Sequence, residues 1–146
     1  MVDPGLRNRA VLITGANNPF GIGAAAAVAF ARQGARLFLH YCRATDQAVT
    51  ATDGPSESFY RMQQTMSGDD LAERLSASGT ETYVFERDFA DPMAPAELFD
   101  AAESALGRVE VLGNNAAAWA SDTFVPTGAP PQNPLVEMWT STTPFS

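Results

Sequence analysis

The residues in this chain best suited to chemistry by type and spacing lie in one glycine-rich turn, Thr14-Gly15-Ala16-Asn17-Asn18-Pro19-Phe20-Gly21-Ile22-Gly23. An apolar run, Ala10-Val-Leu-Ile-Thr14, precedes the turn and an alanine-rich stretch from Ile22 to Gln33 follows it. The turn therefore leaves a buried strand and opens a helix. Glycines there permit positive φ and remove side chains, so an anion can approach the backbone N–H groups at the helix N-terminus, where the macrodipole also favours negative charge. The chemistry implied is pyrophosphate binding. With a strand before it, a helix after it and a second strand on schedule, nucleotide binding outweighs a purely structural turn.

Other reactive side chains carry less. His40 is the only histidine, and its position in a strand reads as a satisfied core or rim residue rather than a catalytic base. Cys42, the only cysteine, stands beside Arg43, but no histidine partner is placed by sequence, so it reads as a buried or half-buried thiol. Asp69 and Asp70 have the look of a helix first turn rather than a metal pair. No catalytic and no metal-binding residue is assigned. The formal net charge is −8, and the nine basic residues are all arginines, scattered singly. That excludes a general affinity for nucleic acid, which would need a basic patch.

The elements that must position the turn follow from hydrophobic patterning. The 146 residues are 45% hydrophobic, enough for one domain core and too few for two. Short apolar runs at Ala10–Thr14, Leu37–Tyr41, Tyr83–Phe85 and Val109–Leu112 alternate with stretches of helical spacing, the pattern of an α/β domain with a buried parallel sheet. The helix after the turn ends at Gly34. A second spans about Asp69 to Ser78, with Ser67 as cap and Gly79 as stop. A third follows Asp91-Pro92, carries Leu98, Ala102, Ala105 and Leu106 on one face, and starts late because of Pro95. The connection from Ala44 to Gly68 is long, and Phe59, Met62 and Met66 share a helical face within it. Beyond Ala118, five prolines (Pro126, Pro130, Pro131, Pro134, Pro144) exclude long regular structure, although Leu135-Val136 and Met138-Trp139 call for burial. No secretory signal or membrane-spanning run is readable, so the cytoplasm is expected.

The turn resembles the Thr-Gly-x-x-x-Gly-Ile-Gly turn of short-chain dehydrogenases/reductases, lengthened by two residues. Arg87-Asp88-Phe89 after the third strand is similar to that family's adenine-binding Asp and its neighbour. Asn114-Asn115-Ala116-Ala117 after the fourth is similar to its Asn-Asn-Ala-Gly motif, whose backbone borders the cofactor and whose asparagine ties the central strands together. The joint match runs from about Arg9 to Ala118. It implies a Rossmann-type doubly wound parallel sheet, incomplete, with about four strands in the order 3-2-1-4. Residues 1–118 form the nucleotide-binding half-domain, and 119–146 are a proline-rich loop leading toward a missing C-terminal half. The cofactor contacts implied are Gly15, Asn17, Asn18, Gly21, Ile22, Gly23, Tyr41, Arg43, Asp88, Phe89, Asn115, Ala116 and Ala117.

The cofactor expected is NADP, with NAD as the alternative. The second strand ends in His40-Tyr41-Cys42-Arg43, without the acid that would accept hydrogen bonds from the ribose hydroxyls of NAD and with an arginine able to meet a 2′-phosphate. The family's reaction is hydride transfer to or from a carbonyl or alcohol carbon. It uses a tyrosine whose pKa is lowered from ~10 by a neighbouring lysine in Tyr-x-x-x-Lys. Tyr41, Tyr60 and Tyr83 lie in the nucleotide-binding half, and the chain has no lysine. The reading is therefore an N-terminal piece of such an oxidoreductase, 3-oxoacyl-thioester reduction being the commonest family role, and inactive by itself. A non-enzymatic nucleotide-binding or assembly module, completed by a partner chain or self-associating through an uncovered fourth strand, is the alternative. A Rossmann-type methyltransferase is less favoured, because it would want an acid after the second strand.

Overall fold

A period of two decides which face of the sheet each strand residue serves, and here both faces are claimed by apolar side chains. The computed structural model describes residues 3–43 and 57–117. Residues 44–56 of the long connection and residues 118–146, including Leu135, Val136, Met138, Trp139 and the five tail prolines, lie outside the described residues. The chain divides into two units, Met1–Ala116 and Ala117–Ser146.

In the first unit the described elements follow as β1 (Ala10–Thr14), α1 (Ile22–Arg32), β2 (Arg36–Tyr41), α2 (Glu57–Gln64), α3 (Asp69–Ala77), β3 (Thr82–Glu86), α4 (Ala94–Leu106) and β4 (Val111–Gly113). The strands form one parallel sheet in the order β3-β2-β1-β4, as expected. The chain steps outward from β1 to β2 to β3, then returns to place β4 on the other side of β1. Since such crossovers are right-handed, the outward steps and the return step set their helices on opposite faces. The core confirms it. Val11, Ile13, Leu37 and Leu39 pack with Ala24 and Ala27 of α1 and Leu71 and Leu75 of α3. Ala10, Leu12 and Phe38 pack with Leu98, Ala102 and Leu106 of α4. Truncating a fully buried member such as Leu12 to alanine would cost about 2–5 kcal/mol.

Several boundaries differ from expectation for identifiable reasons. The fourth strand begins at Val111 rather than Val109, because Glu110 is used to start β1. Its carboxylate accepts the Ala10 N–H at 3.2 Å and pairs with Arg9, while its own N–H donates to the Ala10 carbonyl. Gly113 lies inside that strand, opposite Ile13. Pro95 does not delay α4; it sits in the first turn, where its missing N–H has no intrahelical acceptor to lose. Ser67 does cap α3, its hydroxyl accepting the Asp69 N–H at 3.1 Å, although Gly68 occupies the formal N-cap. α1 ends as the sequence implies. Gly34 turns left-handed at φ 77°, the Ala35 N–H reaches the Phe30 carbonyl, and the Gly34 N–H reaches Ala31.

Candidate nucleotide-binding site

β1 is the strand from which the sheet's connections diverge, β2 lying to one side and β4 to the other. Such a switch point leaves a crevice outside the carboxyl ends of the strands. The turn after β1 and the segment after β4 meet there. Thr14 Oγ1 accepts the N–H groups of Asn115 at 3.0 Å and Ala116 at 2.9 Å. In return, Asn115 Nδ2 donates to the Thr14 carbonyl at 3.1 Å and the Gly15 carbonyl at 2.9 Å. This lock makes two glycines compulsory. Gly15 has φ 70°, and a Cβ there would stand 2.8 Å from Ala116 Cα. A Cβ on Gly23 would fall on the Gly15 carbonyl oxygen and 2.7 Å from Asn115 Nδ2. The first turn of α1 is thereby drawn against the end of β1.

The N-terminus of α1 has Gly21 as N-cap, no side-chain cap and no acidic residue in its first turn. Neither its N-cap nor its own first turn thus sets an anionic side chain on the first N–H groups, which is the electrostatic setting for a phosphate. The two residues added to the turn are absorbed locally. Asn18 Oδ1 accepts the Phe20 N–H at 2.9 Å and the Asn18 carbonyl accepts the Gly21 N–H at 2.9 Å, so the extra length folds into a tight loop before the helix start. Phe20 and Ile22 are left 76% and 79% exposed beside it, with Phe20 5.6 Å from the Phe59 ring of α2.

The end of β2 is organised differently. Tyr41 is buried, and its hydroxyl meets Ser67 Oγ at 3.0 Å. Arg43 donates through Nε and Nη2 to the two carboxylate oxygens of Glu86 at 2.7 and 2.8 Å. This pairing holds the Glu86 carboxyl below its ordinary pKa and raises that of Arg43 further. His40 is buried, with Nε2–H donating to the Arg87 carbonyl at 2.8 Å and Nδ1 unpartnered. Burial lowers its pKa and the carbonyl bond offsets this in part, which leaves a neutral imidazole. Phe89 stacks on that ring at 4.1 Å. Asp88 is exposed, with Oδ1 accepting the Ala90 N–H at 2.9 Å. Cys42 is exposed rather than buried. Desolvation and the carboxylates of Asp88 and Glu86 push its thiol above the usual value, so Arg43 does not activate it.

The structure brings Gly15, Gly23, Asn115 and Ala116 into contact, with Gly21 and Ile22 at the helix start. Asn17 turns inward. Its Nδ2 donates to the carbonyls of Gln64 and Met66, both at 3.0 Å, fastening the turn to the segment after α2. Asn18 is spent on the turn, Tyr41 on Ser67, and Arg43 on Glu86. Ala117 falls in the second unit. Sequence reasoning passed over Thr14 as a positioning residue, although a hydroxyl at the end of a strand opposite an asparagine segment was a readable signal. It also passed over Glu86, whose approach to Arg43 depends on strand register. Among the described residues no group of three His, Cys, Asp or Glu side chains could hold a metal ion.

No family model matches the chain. Its sequence is 31% identical over 125 residues to a short-chain type dehydrogenase/reductase of Picea abies, a match covering 84% of this chain and 38% of that one. It is 36% identical over 115 residues to a probable galactose dehydrogenase of Rhizobium meliloti, covering 78% and 36%. These neighbours consistently indicate the short-chain dehydrogenase/reductase family. A family member of known structure, a short chain dehydrogenase from Burkholderia cenocepacia in complex with NADP, aligns with a TM-score of 0.59 at 25% identity over 82% of this chain and 40% of that one. The chain spans about 38% of the length of the Picea abies dehydrogenase/reductase. The chain presents the Rossmann-type sheet, while its turn is longer than the one it resembles and its fourth-strand motif carries Ala117 in place of glycine.

Proposed function

We propose that this chain is the dinucleotide-binding, N-terminal portion of an oxidoreductase that uses NADP(H), with NAD(H) as the weaker alternative, to interconvert a carbonyl and an alcohol. The observation that carries the reading is the N-terminus of α1, uncapped, free of acid and held against Gly15 by the Thr14–Asn115 lock. The cradle fits a pyrophosphate, because Gly15 and Gly23 let the turn and the first turn of α1 close on Ala116 and Asn115, which sets the bare helix N-terminus at the end of β1. Backbone groups of Gly15, Gly21, Ile22 and Gly23 would hold the phosphates, and Asn115-Ala116, continuing to Ala117, would border the nicotinamide half. Asp88 and Phe89 would meet the adenine, and Arg43 a 2′-phosphate. NADP bound to the Burkholderia cenocepacia relative supports the choice of cofactor. When bound, the nicotinamide supplies or accepts the hydride.

The residues described here bind and orient; none moves a proton at the reacting carbon. The 146 residues contain no lysine, hence no Tyr-x-x-x-Lys, and by themselves they do not turn over. The substrate class proposed for the whole enzyme is a 3-oxoacyl thioester or similar carbonyl compound, and its place the cytoplasm. Titration of the purified chain with NADPH, followed by the change in nicotinamide fluorescence, should give saturable binding. Absence of binding would overturn the reading, and NADPH oxidation across a carbonyl panel would overturn the proposed inactivity.

One observation favours the alternative of an assembly module. Among the described residues β4 pairs only with β1, and Leu112 on it is 48% exposed. Such an edge accepts a further strand from a partner chain or a second copy. Sedimentation of the chain at increasing concentration separates these, since self-association predicts a mass that rises with concentration.

A further inference from the structure

The C-terminal ends of β2 and β3 lie side by side, with Tyr41 opposite Glu86 in the parallel register. That register brings the carboxylate closing β3 next to the guanidinium just past β2, two groups separated by 43 residues of sequence. The contact is bidentate, with both Glu86 oxygens engaged at 2.7 and 2.8 Å. Paired hydrogen bonds of this fork-to-fork kind fix the plane of a guanidinium as well as neutralising it. Both side chains remain partly open to solvent, at 52% and 35% exposure, so a ligand reaching Arg43 meets Glu86 at the same time.

The wider surroundings of Arg43 are acidic. Asp69, at the start of α3, adds to the field that keeps the guanidinium charged. Asp88 and Glu86 together oppose ionisation of the neighbouring Cys42 thiol. Arg43 is therefore a cation already claimed by a carboxylate within an acidic rim, not an unopposed phosphate partner.

We propose that Glu86 is a specificity-determining residue of the cofactor site. By occupying both donor arms of Arg43 it competes with a 2′-phosphate for that guanidinium, and so narrows the margin by which the chain prefers NADP(H) to NAD(H). The inference rests on the dinucleotide reading above and adds to it a residue, at the end of β3, that the reading does not use. A 2′-phosphate approaching Arg43 has two courses. It displaces the carboxylate, forfeiting the existing bidentate pair, or it sits beside the carboxylate and meets like-charge repulsion at hydrogen-bonding range. A ribose carrying only hydroxyls encounters neither penalty, and it finds in the Glu86 carboxylate an acceptor rather than a repellent. A single strand-end carboxylate thus acts with opposite sign on the two cofactors.

The test measures dissociation constants for NADPH and NADH by isothermal titration calorimetry, on the full 146-residue chain and on Glu86→Gln. Surface ion pairs contribute little to stability, so the variant folds, and circular dichroism confirms it. Glu86→Ala repeats the test with the side chain shortened. The expected result is NADPH binding tightened by about fivefold to tenfold, with NADH unchanged or weakened by up to about twofold. In an Arg43→Gln background, where there is no guanidinium to release and only like-charge repulsion remains, the same replacement tightens NADPH by less than it does beside Arg43. Equal changes for both cofactors, or no change for NADPH, would overturn the role of Glu86 while leaving the dinucleotide site standing. If neither the chain nor its variants bind either dinucleotide, the cofactor reading fails and takes this inference with it.

Discussion

The ends of β1 and β2 are adjacent in the sheet and face the same crevice, yet they spend their polar groups in opposite ways. At the end of β1, Thr14 and Asn115 consume side-chain hydrogen bonds to hold backbone in place, and the reward is a helix terminus with its N–H groups uncapped. At the end of β2, the side chains themselves find protein partners: Tyr41 with Ser67, His40 with the Arg87 carbonyl, and Arg43 with Glu86. On the proposed reading, the first end takes the anion that every dinucleotide shares. The second is closed on itself, so on that reading a choice between cofactors is made there against an internal partner, by displacing it or by lying beside it. Shared affinity and discrimination are then, on the proposed reading, set by different physics: close backbone packing and helix dipoles in one case, competition between charges in the other.

The sharpest way to break this comparison is to fill the cradle at β1. Gly23→Ala places a methyl group on the Gly15 carbonyl and against Asn115 Nδ2. NADPH affinity should fall by about a hundredfold, read by fluorescence titration, because the helix start must move away from the phosphate position. Asn115→Ala removes both Nδ2 bonds, leaves the Thr14 and Gly15 carbonyls without them, and should cost ~2 kcal/mol in urea unfolding while also weakening NADPH. The β2 end should respond differently. Ser67→Ala deprives the Tyr41 hydroxyl and the Asp69 N–H of their partner and should lower stability by ~1 kcal/mol, yet change NADPH affinity by less than about twofold. If Ser67→Ala weakened NADPH as much as Asn115→Ala, the distinction between the two ends would collapse.

The smallest effect concerns pH. His40 is held neutral, with a folded pKa below its ordinary 6.5. The unfolded chain then takes up a proton that the folded chain refuses, so this contribution to stability is complete above pH 6.5 and is lost as pH falls below it. Glu86 and Glu110, whose pKa values are depressed from 4.5, lose their contributions only at lower pH, so the windows separate. Melting temperature should decline from pH 6.5 toward about pH 5, and His40→Phe, which keeps an aromatic ring against Phe89, should flatten that decline.

Much of the β1 end was legible in the sequence. Glycine requirements are local, since a strand, a turn and a helix start close together in sequence carry their own geometry, and Gly15, Gly21 and Gly23 are where the sequence implied. The strand order was legible because the alternation of elements leaves few topologies open. The β2 end was not. Whether Arg43 faces solvent or Glu86 depends on the register of β2 against β3, and one residue of slip would put Glu86 on the other face. Asn17 was read as a ligand contact because it lies in the turn. Its inward direction is imposed by the carbonyls of Gln64 and Met66, which arrive from a connection whose path the sequence does not disclose. Pro95 was misread for a simpler reason, since the same residue that stops a helix in its interior is harmless in its first turn.

The Thr14–Asn115 lock joins groups 101 residues apart. A contact of that span is among the last that a folding chain can make, because the loop must close before the bonds return anything. During synthesis the glycine turn emerges early and can be fastened through Asn17 to the Gln64 and Met66 carbonyls, but it lacks its bonds to Asn115 until β4 has docked. The Thr14–Asn115 lock is completed only with β4, and on the proposed reading a nucleotide that binds the docked state alone would favour it by mass action, acting as a folding template as well as a cofactor.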